Sequence, residues 1–248
     1  MVIPLILAHR GYSLLFSENT KKAFERAADL CVDGFEMDLR VCKDGKIVII
    51  HDPVVDRVSN GEGKVKDYRS DEIRKFHVGQ DEHIPLLDEL WDWLVENGRW
   101  INMEIKEREV VKPLVEFLKG RYYEKLIFSS FQHSIVYELK EKLDWVKIGL
   151  LYDKRPDYDL GEEIERAMEK GIYSFHIPVE GVEYFGEKEY LKILDGIRMA
   201  GFKVAVWTLN DPGLYMTLRN HVDMVITDDP IVGVSAVSYT HLTLPTKA

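Results

Sequence analysis

The stretch Gly34–Pro53, GFEMDLRVCKDGKIVIIHDP, decides how the rest of the chain is interpreted. Within Phe35–Leu39, apolar residues alternate with Glu36 and Asp38. Side chains along a β-strand point alternately to its two faces, so the two carboxylates share one face and the apolar residues share the other. The stretch therefore predicts a strand with one apolar and one acidic face, followed closely by a His-Asp pair at His51.

Short β-rich runs alternate with amphipathic helical runs along most of the 248 residues. The predicted strands are Leu5–His9, Gly34–Leu39, Lys46–His51, Ile101–Lys106, Leu126–Ser130, Val146–Leu151, Ile172–Ile177, Phe202–Trp207 and Asp223–Thr227. The predicted helices are Asn19–Val32, Leu87–Glu96, Val110–Leu118, Ser134–Leu143, Gly161–Lys170, Lys188–Ala200 and Gly213–Arg219. Such alternation indicates a mostly parallel sheet with helical crossovers. At this length it favours a (β/α)8 TIM barrel, with a doubly wound open sheet as the alternative.

Nine predicted strands compete for eight barrel positions. The KDG between the second and third is too short for a parallel crossover, so part of Arg40–His51 is expected to form a local hairpin. The sequence leaves open which segment joins the barrel. Residues 52–85 are polar and break the alternation, which predicts a small capping insertion in a single domain over residues 1–236. Val237–Ala248 has neither helical nor strand period and is expected to be a non-native tail.

Composition restricts the class of function. The net charge of −10 argues against binding to nucleic acid or to an anionic membrane surface, which leaves a small molecule as the expected partner. No run approaches the roughly 18 apolar residues of a membrane span. The first ten residues lack a basic region, which predicts no signal peptide and a cytoplasmic location. Cys31 and Cys42 fit neither a metal site nor a disulfide framework. The oligomeric state is left open.

In a barrel, Glu36 and Asp38 would point to the interior, and the same alternation in INMEIKE would place Asn102, Glu104 and Lys106 there. Buried acids without partners are costly. A divalent cation held by Glu36, Asp38 and Glu104 would neutralise them, and all-oxygen ligation favours Mg, Mn or Ca. An ion-pair network in which these acids meet only neighbouring Lys and Arg side chains is the structural alternative.

Basic and imidazole side chains follow the same strands. AHRGY ends the first strand with His9 and Arg10, and IIHDP supplies His51. Either histidine alone is compatible with an ordinary core or loop residue. Together with the acids and Lys106, they would form an acid/base pair, phosphate-binding cations and a Lewis-acid site.

At this point the motifs resemble those of the glycerophosphodiester phosphodiesterase family. The resemblance starts with HRG, ENT, E-x-D, KDG and HD between His9 and Pro53, and continues with NMEIK, VAVWTLN and VITDDP. It covers roughly residues 3–232. Ser17 departs from the family, which usually has proline before ENT, and this leaves the shape of that loop and the substrate preference open.

The resemblance implies a role for nine residues. They are His9 and His51 in catalysis, Arg10, Lys106, Trp207 and Glu18 in substrate binding, and Glu36, Asp38 and Glu104 in metal binding. Trp207 could instead be an outer packing aromatic, and Glu18 could simply place charge at the start of a helix. The other histidines are expected to be structural, as is the pair Lys154–Arg155, although His176 could reach the pocket. Those histidines are His77, His83, His133, His176 and His221.

The implied activity is metal-dependent hydrolysis of glycerophosphodiesters to an alcohol and sn-glycerol 3-phosphate. The nucleophile would be water or the glycerol hydroxyl of the substrate itself, through a cyclic phosphate. Lysophospholipase D-type hydrolysis of lysophospholipids and a cyclising phospholipase share this architecture. A non-catalytic metal- or ligand-binding barrel is the alternative from another class.

Overall fold

The computed structural model describes residues 3–153 and 159–232. The strands, in chain order, are β1 Leu5–His9, β2 Gly34–Val41, β3 Ile47–Ile49, β4 His77–Val78, β5 Glu82–His83, β6 Trp100–Ile105, β7 Leu126–Ser130, β8 Lys147–Leu151, β9 Ser174–Pro178, β10 Lys203–Trp207 and β11 Met224–Thr227. The helices are α1 Lys21–Asp29, α2 Ser70–Ile73, α3 Leu87–Glu96, α4 Val111–Leu118, α5 His133–Lys142, α6 Leu160–Glu169, α7 Gly181–Phe185, α8 Glu187–Met199 and α9 Pro212–Leu218. Short 3₁₀ turns occupy Val65–Asp67 and Arg108–Val110.

Eight parallel strands form a closed barrel. β2, β6, β7, β8, β9, β10 and β11 pair in that order, and β1 pairs with both β11 and β2. The predicted (β/α)8 barrel is thereby confirmed, and the open-sheet alternative is wrong because β1 leaves no free edge between β2 and β11. The closure places His9 opposite Glu36, and Asp38 opposite Glu104.

The hairpin in the opening stretch settles which segment joins the barrel. β2 lies in the barrel, whereas β3 runs antiparallel to the end of β2, with Leu39 opposite Ile49 and Val41 opposite Ile47. The turn between them passes through Gly45 at φ +79°, a backbone conformation that glycine adopts without steric cost. β3 is thus an extension beyond the rim of the barrel.

The insertion after β3 contains the first 3₁₀ turn, α2 and the β4–β5 hairpin. Its apolar residues form a small cluster that includes Val55, Ile73 and Ile84 and packs on Val48 of β3. The insertion therefore attaches to the rim through β3, at the carboxyl ends of the barrel strands.

Two apolar regions divide the strand residues as the alternation predicts. Phe35, Met37 and Leu39 of β2 belong to the cluster between the barrel and its helices. The interior of the barrel holds a separate cluster that includes Leu7 and Met224. The inward positions of β2 are thus left to its acidic residues.

The seven predicted helices appear, with ends that shift by at most three residues. The five-residue α7 has too few residues to show a helical period in the sequence. Across residues 3–153 and 159–232, no helix combines the length and the apolarity needed to cross a membrane. The predicted tail Val237–Ala248 and the pair Lys154–Arg155 lie outside the described residues.

Candidate active site

A cavity of about 250 Å³ opens at the carboxyl ends of the barrel strands. Seven of the nine predicted site residues line it: His9, Arg10, Glu36, His51, Glu104, Lys106 and Trp207. Asp38 is fully buried in contact with several of them, and Glu18 lies on the insertion side in an adjoining crevice. The fold thus brings together residues that the sequence separates by almost 200 positions.

Three carboxylates cluster at the bottom of this cavity, with Glu36 and Glu104 on its lining and Asp38 buried behind them. Glu36, Asp38 and Glu104 are buried, and one oxygen of each lies within 4.8 Å of the others. Lys106 Nζ lies 2.6 Å from Glu104 Oε1 and 3.2 Å from Asp38 Oδ1. Arg10 Nε lies 3.1 Å from Asp38 Oδ2. Adjacent strands and the period of two produce this cluster, since β2 and β6 align Asp38 with Glu104.

The cluster carries more negative charge than its two cations neutralise. Burial raises the pKa of Glu36 well above its usual value, and the charges of Asp38 and Glu104 raise it further. Burial, with Asp38, also raises the pKa of Glu104 to about 7. For Asp38, the charges of Lys106 and Arg10 outweigh burial, and its pKa is lowered. At neutral pH, burial and mutual repulsion therefore favour protonation of at least one acid unless another cation joins the cluster.

The donor atoms fit a divalent cation. The three acids offer only oxygen ligands, which suits Mg, Mn or Ca. Asn102 adds a further oxygen on the cavity wall, because its Oδ1 is buried and has no hydrogen-bond partner among the described residues. Such an orphaned acceptor beside three buried carboxylates is what a cation-binding pocket requires.

Each of the two histidines in the cavity is held by an aspartate. Nδ1 of His9 lies 2.6 Å from Asp228 Oδ1, and Nδ1 of His51 lies 2.6 Å from Asp52 Oδ1. The pKa of each aspartate is lowered to about 2, so both are ionised and can only accept a hydrogen bond. Nδ1 of each imidazole therefore carries the proton, which leaves Nε2 without one in the neutral ring. Nε2 of His9 lies 3.8 Å from Glu36 Oε2.

Backbone geometry explains the HRG motif. After β1, Arg10 adopts φ +56° and Gly11 φ +81°, and Arg10 N donates to the Glu36 backbone carbonyl over 2.9 Å. A Cβ on Gly11 would lie 2.6 Å from the carbonyl carbon of Ala23 in α1. Only glycine fits this turn. The turn directs Arg10 back over the acidic cluster.

The ENT motif supports the same cluster from α1. Asn19, at φ +57°, donates from Nδ2 to Asp38 Oδ2 over 2.8 Å. Thr20 is the N-cap of α1 and accepts from Ala23 N over 3.2 Å. Glu18 accepts from Arg10 Nη1 over 2.9 Å. Glu18 and Asn19 therefore hold Arg10 and Asp38, while Thr20 caps the helix that follows them.

Aromatic rings form one wall of the cavity. Trp207 and Phe131 pack edge to face with their centroids 5.5 Å apart. Trp207 Nε1 donates to the His176 carbonyl over 3.2 Å. The His176 side chain itself is fully buried under this wall, bonded to Ser174 Oγ, and is not among the described residues that line the cavity.

The comparisons with known proteins agree with this geometry. The sequence model of the glycerophosphoryl diester phosphodiesterase family matches residues 9–232. The chain belongs to this family. A curated glycerophosphodiester phosphodiesterase from Caldanaerobacter subterraneus subsp. tengcongensis is 36% identical over 240 residues, which cover 91% of this chain and 94% of the relative. The predicted family and its enzyme class, phosphoric diester hydrolase, are thereby confirmed.

Solved structures of the family superpose on the whole barrel. The glycerophosphodiester phosphodiesterase of Thermotoga maritima has a TM-score of 0.81 at 34% identity, covering 94% of this chain and 97% of that protein. A phosphodiesterase of Oleispira antarctica, solved in complex with its product sn-glycerol-3-phosphate, has a TM-score of 0.83 at 27% identity, covering 95% of this chain and 97% of that protein.

Sequence reasoning within the family motifs missed the partners of the histidines. Asp52 stands in HDP and Asp228 in VITDDP, so both lie in stretches that the resemblance already included. The chain separation of 219 residues between His9 and Asp228 hides their contact. Imidazoles in acid/base sites are commonly oriented by a carboxylate. An aspartate next to a histidine or at the end of a barrel strand was therefore the pattern that could have predicted these partners.

Proposed function

We propose that this protein hydrolyses glycerophosphodiesters to an alcohol and sn-glycerol 3-phosphate, with His9 and His51 as the acid/base pair. The observation that carries this proposal is that two imidazoles, each with Nδ1 fixed by an aspartate, line one cavity beside an oxygen-rich cluster. The product found in the Oleispira antarctica relative is the one expected here.

Arg10 and Lys106 are proposed to bind the phosphate oxygens. Both line the cavity, and both form ion pairs with the buried carboxylates, which hold their charged groups at the bottom of the cavity. Local positive charge, from these two side chains and the proposed cation, is needed because the chain as a whole carries a charge of −10 and repels an anionic substrate. Arginine suits this task because its planar guanidinium can contact two phosphate oxygens at once.

Glu36, Asp38 and Glu104 are proposed to hold a divalent cation, with Mg, Mn and Ca as candidates. When bound, such a cation supplies Lewis-acid stabilisation of the charge on the phosphoryl oxygens. It would also keep all three carboxylates ionised, against the burial that raises the pKa of Glu36.

The two histidines are proposed to move the protons. Nε2 of one imidazole takes the proton of the attacking hydroxyl, which belongs to water or to the glycerol of the substrate. Nε2 of the other, once protonated, donates to the oxygen of the departing alcohol. If the glycerol hydroxyl attacks, the first product is a cyclic phosphate. Water, deprotonated by the second imidazole, then opens the ring while the first imidazole returns its proton to the glycerol oxygen, which yields sn-glycerol 3-phosphate. Burial lowers the pKa of His51, which favours a neutral ring able to accept a proton. Asp52 and Asp228 stabilise whichever ring becomes charged.

Exposed apolar side chains near the cavity favour a second candidate, the lysophospholipase D-type reaction. Leu14 and Leu15 are 56% and 66% exposed, and Phe131 is 42% exposed at the aromatic wall. Their loop is tied to the site, since Leu14 N donates to the Asp228 carbonyl over 3.1 Å. These groups could accept the acyl chain of a lysophospholipid.

One set of assays tests both candidates. The protein is incubated with glycerophosphocholine, glycerophosphoethanolamine, glycerophosphoglycerol or a lysophosphatidylcholine, each with Mg, Mn, Ca or EDTA. Turnover of the three glycerophosphodiesters is measured as release of sn-glycerol 3-phosphate, and turnover of the lysolipid as release of choline. Release of sn-glycerol 3-phosphate that needs a divalent cation and is lost in Glu36→Ala supports the proposal. Glu116→Ala, which removes an exposed acid of α4, is the matched control and should keep full activity.

Three outcomes would contradict the proposal. Undiminished turnover in EDTA would exclude a role for the cation in the reaction. Faster turnover of the lysolipid than of every glycerophosphodiester would favour the lysophospholipase D-type reaction over the first candidate. Absence of turnover by the folded protein on all four substrates would favour a non-catalytic barrel. A single domain over residues 1–236 and a cytoplasmic location stay predictions.

A further inference from the structure

Arg57 of the insertion contacts two carboxylates that in turn hold site residues. Its Nε and Nη2 donate to Asp52 over 2.6 and 3.2 Å, and its Nη1 and Nη2 donate to Glu18 over 2.9 and 2.7 Å. We propose that Arg57 is a positioning residue that fixes His51 and Arg10 relative to each other through Asp52 and Glu18. This inference rests on the proposed function.

The contacts form one continuous path. Asp52 accepts from His51 Nδ1 over 2.6 Å, and Glu18 accepts from Arg10 Nη1 over 2.9 Å. His51 follows β3, whereas Arg10 follows β1, so the two side chains belong to segments 41 positions apart in the chain. The guanidinium of Arg57 joins the segments at the point where the insertion meets the barrel.

The geometry requires an arginine. Two edges of the planar guanidinium are each used on a different carboxylate, and an ammonium group has no such pair of edges. Because one rigid plane binds both carboxylates, the contact with Glu18 also fixes the orientation in which the guanidinium meets Asp52. A lysine at this position could pair with Asp52 or Glu18, but could not hold both in their present orientation.

The charge of Arg57 also favours the ionised state of both carboxylates. The hydrogen bonds from Arg57 are the largest cause that lowers the pKa of Asp52 to about 2. Burial would raise the pKa of Glu18, but the hydrogen bonds and charges of Arg57 and Arg10 lower it instead. Ionised Asp52 can only accept a hydrogen bond, which keeps the proton of His51 on Nδ1 and leaves Nε2 directed to the cavity.

Arg57 acts through these partners and not on the substrate. It is absent from the described residues that line the cavity, and its side chain is 49% exposed. It also contributes nothing to the apolar cluster of the insertion, which Val55, Val65 and Ile73 build. Its replacement should therefore leave the fold of the insertion intact while the site loses its alignment.

The test compares Arg57→Gln and Arg57→Lys with Arg69→Gln. Arg69 lies in the same insertion, is 60% exposed and pairs through its side chain with Asp44 and Asp71, away from the site residues, which makes it a matched control. We expect both Arg57 variants to lose about 10- to 100-fold in kcat, the range typical of small misplacements of reacting groups. KM should rise several-fold because Arg10 loses its support, and Arg69→Gln should match the wild type.

A second measurement separates this inference from the proposed function. The Nδ1 proton of His51 is followed by ¹H–¹⁵N correlation spectroscopy of the imidazoles, assigned with His51→Gln. In the wild type we expect a protected downfield signal that broadens or disappears in both Arg57 variants and persists in Arg69→Gln. This signal needs no turnover, so it tests the positioning even if none of the substrates reacts.

Three results would overturn the inference. They are an unchanged His51 signal in Arg57→Gln, full activity in folded Arg57→Lys, and an equal loss of kcat in Arg69→Gln. Should Arg57→Gln fail to fold, the charge-conserving Arg57→Lys decides the question by the same two readouts.

Discussion

The two ends of the barrel interior are built by the same strands but have opposite chemistry. Along β1 the interior changes from Leu7 to His9, and after β11 it changes from Ile226 to Asp228, in each case over a single inward step. The amino-terminal end is an apolar cluster, whereas the carboxyl-terminal end buries Glu36 among charges. Burying apolar surface stabilises the fold, and burying unbalanced charge destabilises it.

The difference separates stability from activity within one barrel, since the apolar end stabilises the fold and the charged end carries the reactive groups. The apolar end and the larger cluster between the barrel and its helices stabilise the fold, and this offsets the unfavourable burial of repelling acids at the other end. Substitutions at the reactive end should therefore change activity with little effect on stability, and substitutions at the apolar end should do the reverse. Three predictions examine this separation.

The largest effect is expected from His51→Ala. Loss of the imidazole should lower kcat by about 10²- to 10⁴-fold, which is the usual contribution of a general acid or base. Steady-state release of sn-glycerol 3-phosphate measures it, and the melting temperature should stay close to that of the wild type. His221→Ala, which removes an outer histidine paired with Asp195, serves as the control. Retention of full kcat by His51→Ala would exclude the assigned role.

An intermediate effect is expected from Leu7→Ala at the apolar end. Leu7 is fully buried in the interior cluster, so its truncation leaves a cavity and should lower the free energy of unfolding by about 2–5 kcal/mol. Urea denaturation measures the loss, and kcat of the folded fraction should change little, since Leu7 is not among the described residues that line the cavity. Leu30→Ala, at an exposed site after α1, is the control. A large loss of kcat in Leu7→Ala would show that the two ends are not independent.

The smallest effect concerns His176, which lies between the two ends beneath Trp207. Burial lowers its pKa to about 3, below the value of about 6.5 expected in the unfolded chain. Between these values the unfolded chain binds the proton and the folded protein does not. This contribution to stability is therefore complete above about pH 6.5 and is lost as the pH falls towards 3.

The loss should amount to at most about 1.4 kcal/mol per pH unit. Urea denaturation between pH 6 and pH 4 should show a shallower pH dependence for His176→Gln, which keeps an amide near Ser174, than for the wild type. Parallel pH profiles for the two proteins would mean that the interior at His176 admits a charge.

Particular residues show how far the sequence alone could be interpreted. The alternation through Phe35–Leu39 predicted which side chains face the interior, because a strand has a fixed period of two. The motif HRG was visible in the sequence, but the requirement for Gly11 was not. That requirement comes from Ala23 of α1, which approaches the turn only after the helix has packed on the barrel.

The sequence by itself determined the alternation of strands and helices, the family motifs and the side chains on the inward face of each strand, because these depend on local periodicity and on short motifs. Only the tertiary structure decided that β2 and not β3 completes the barrel, that Asp228 holds His9, and that Arg57 connects Asp52 with Glu18. These contacts join segments distant in the chain. Their partners are chosen by strand closure and by the docking of the insertion, and no local pattern of residues encodes that choice.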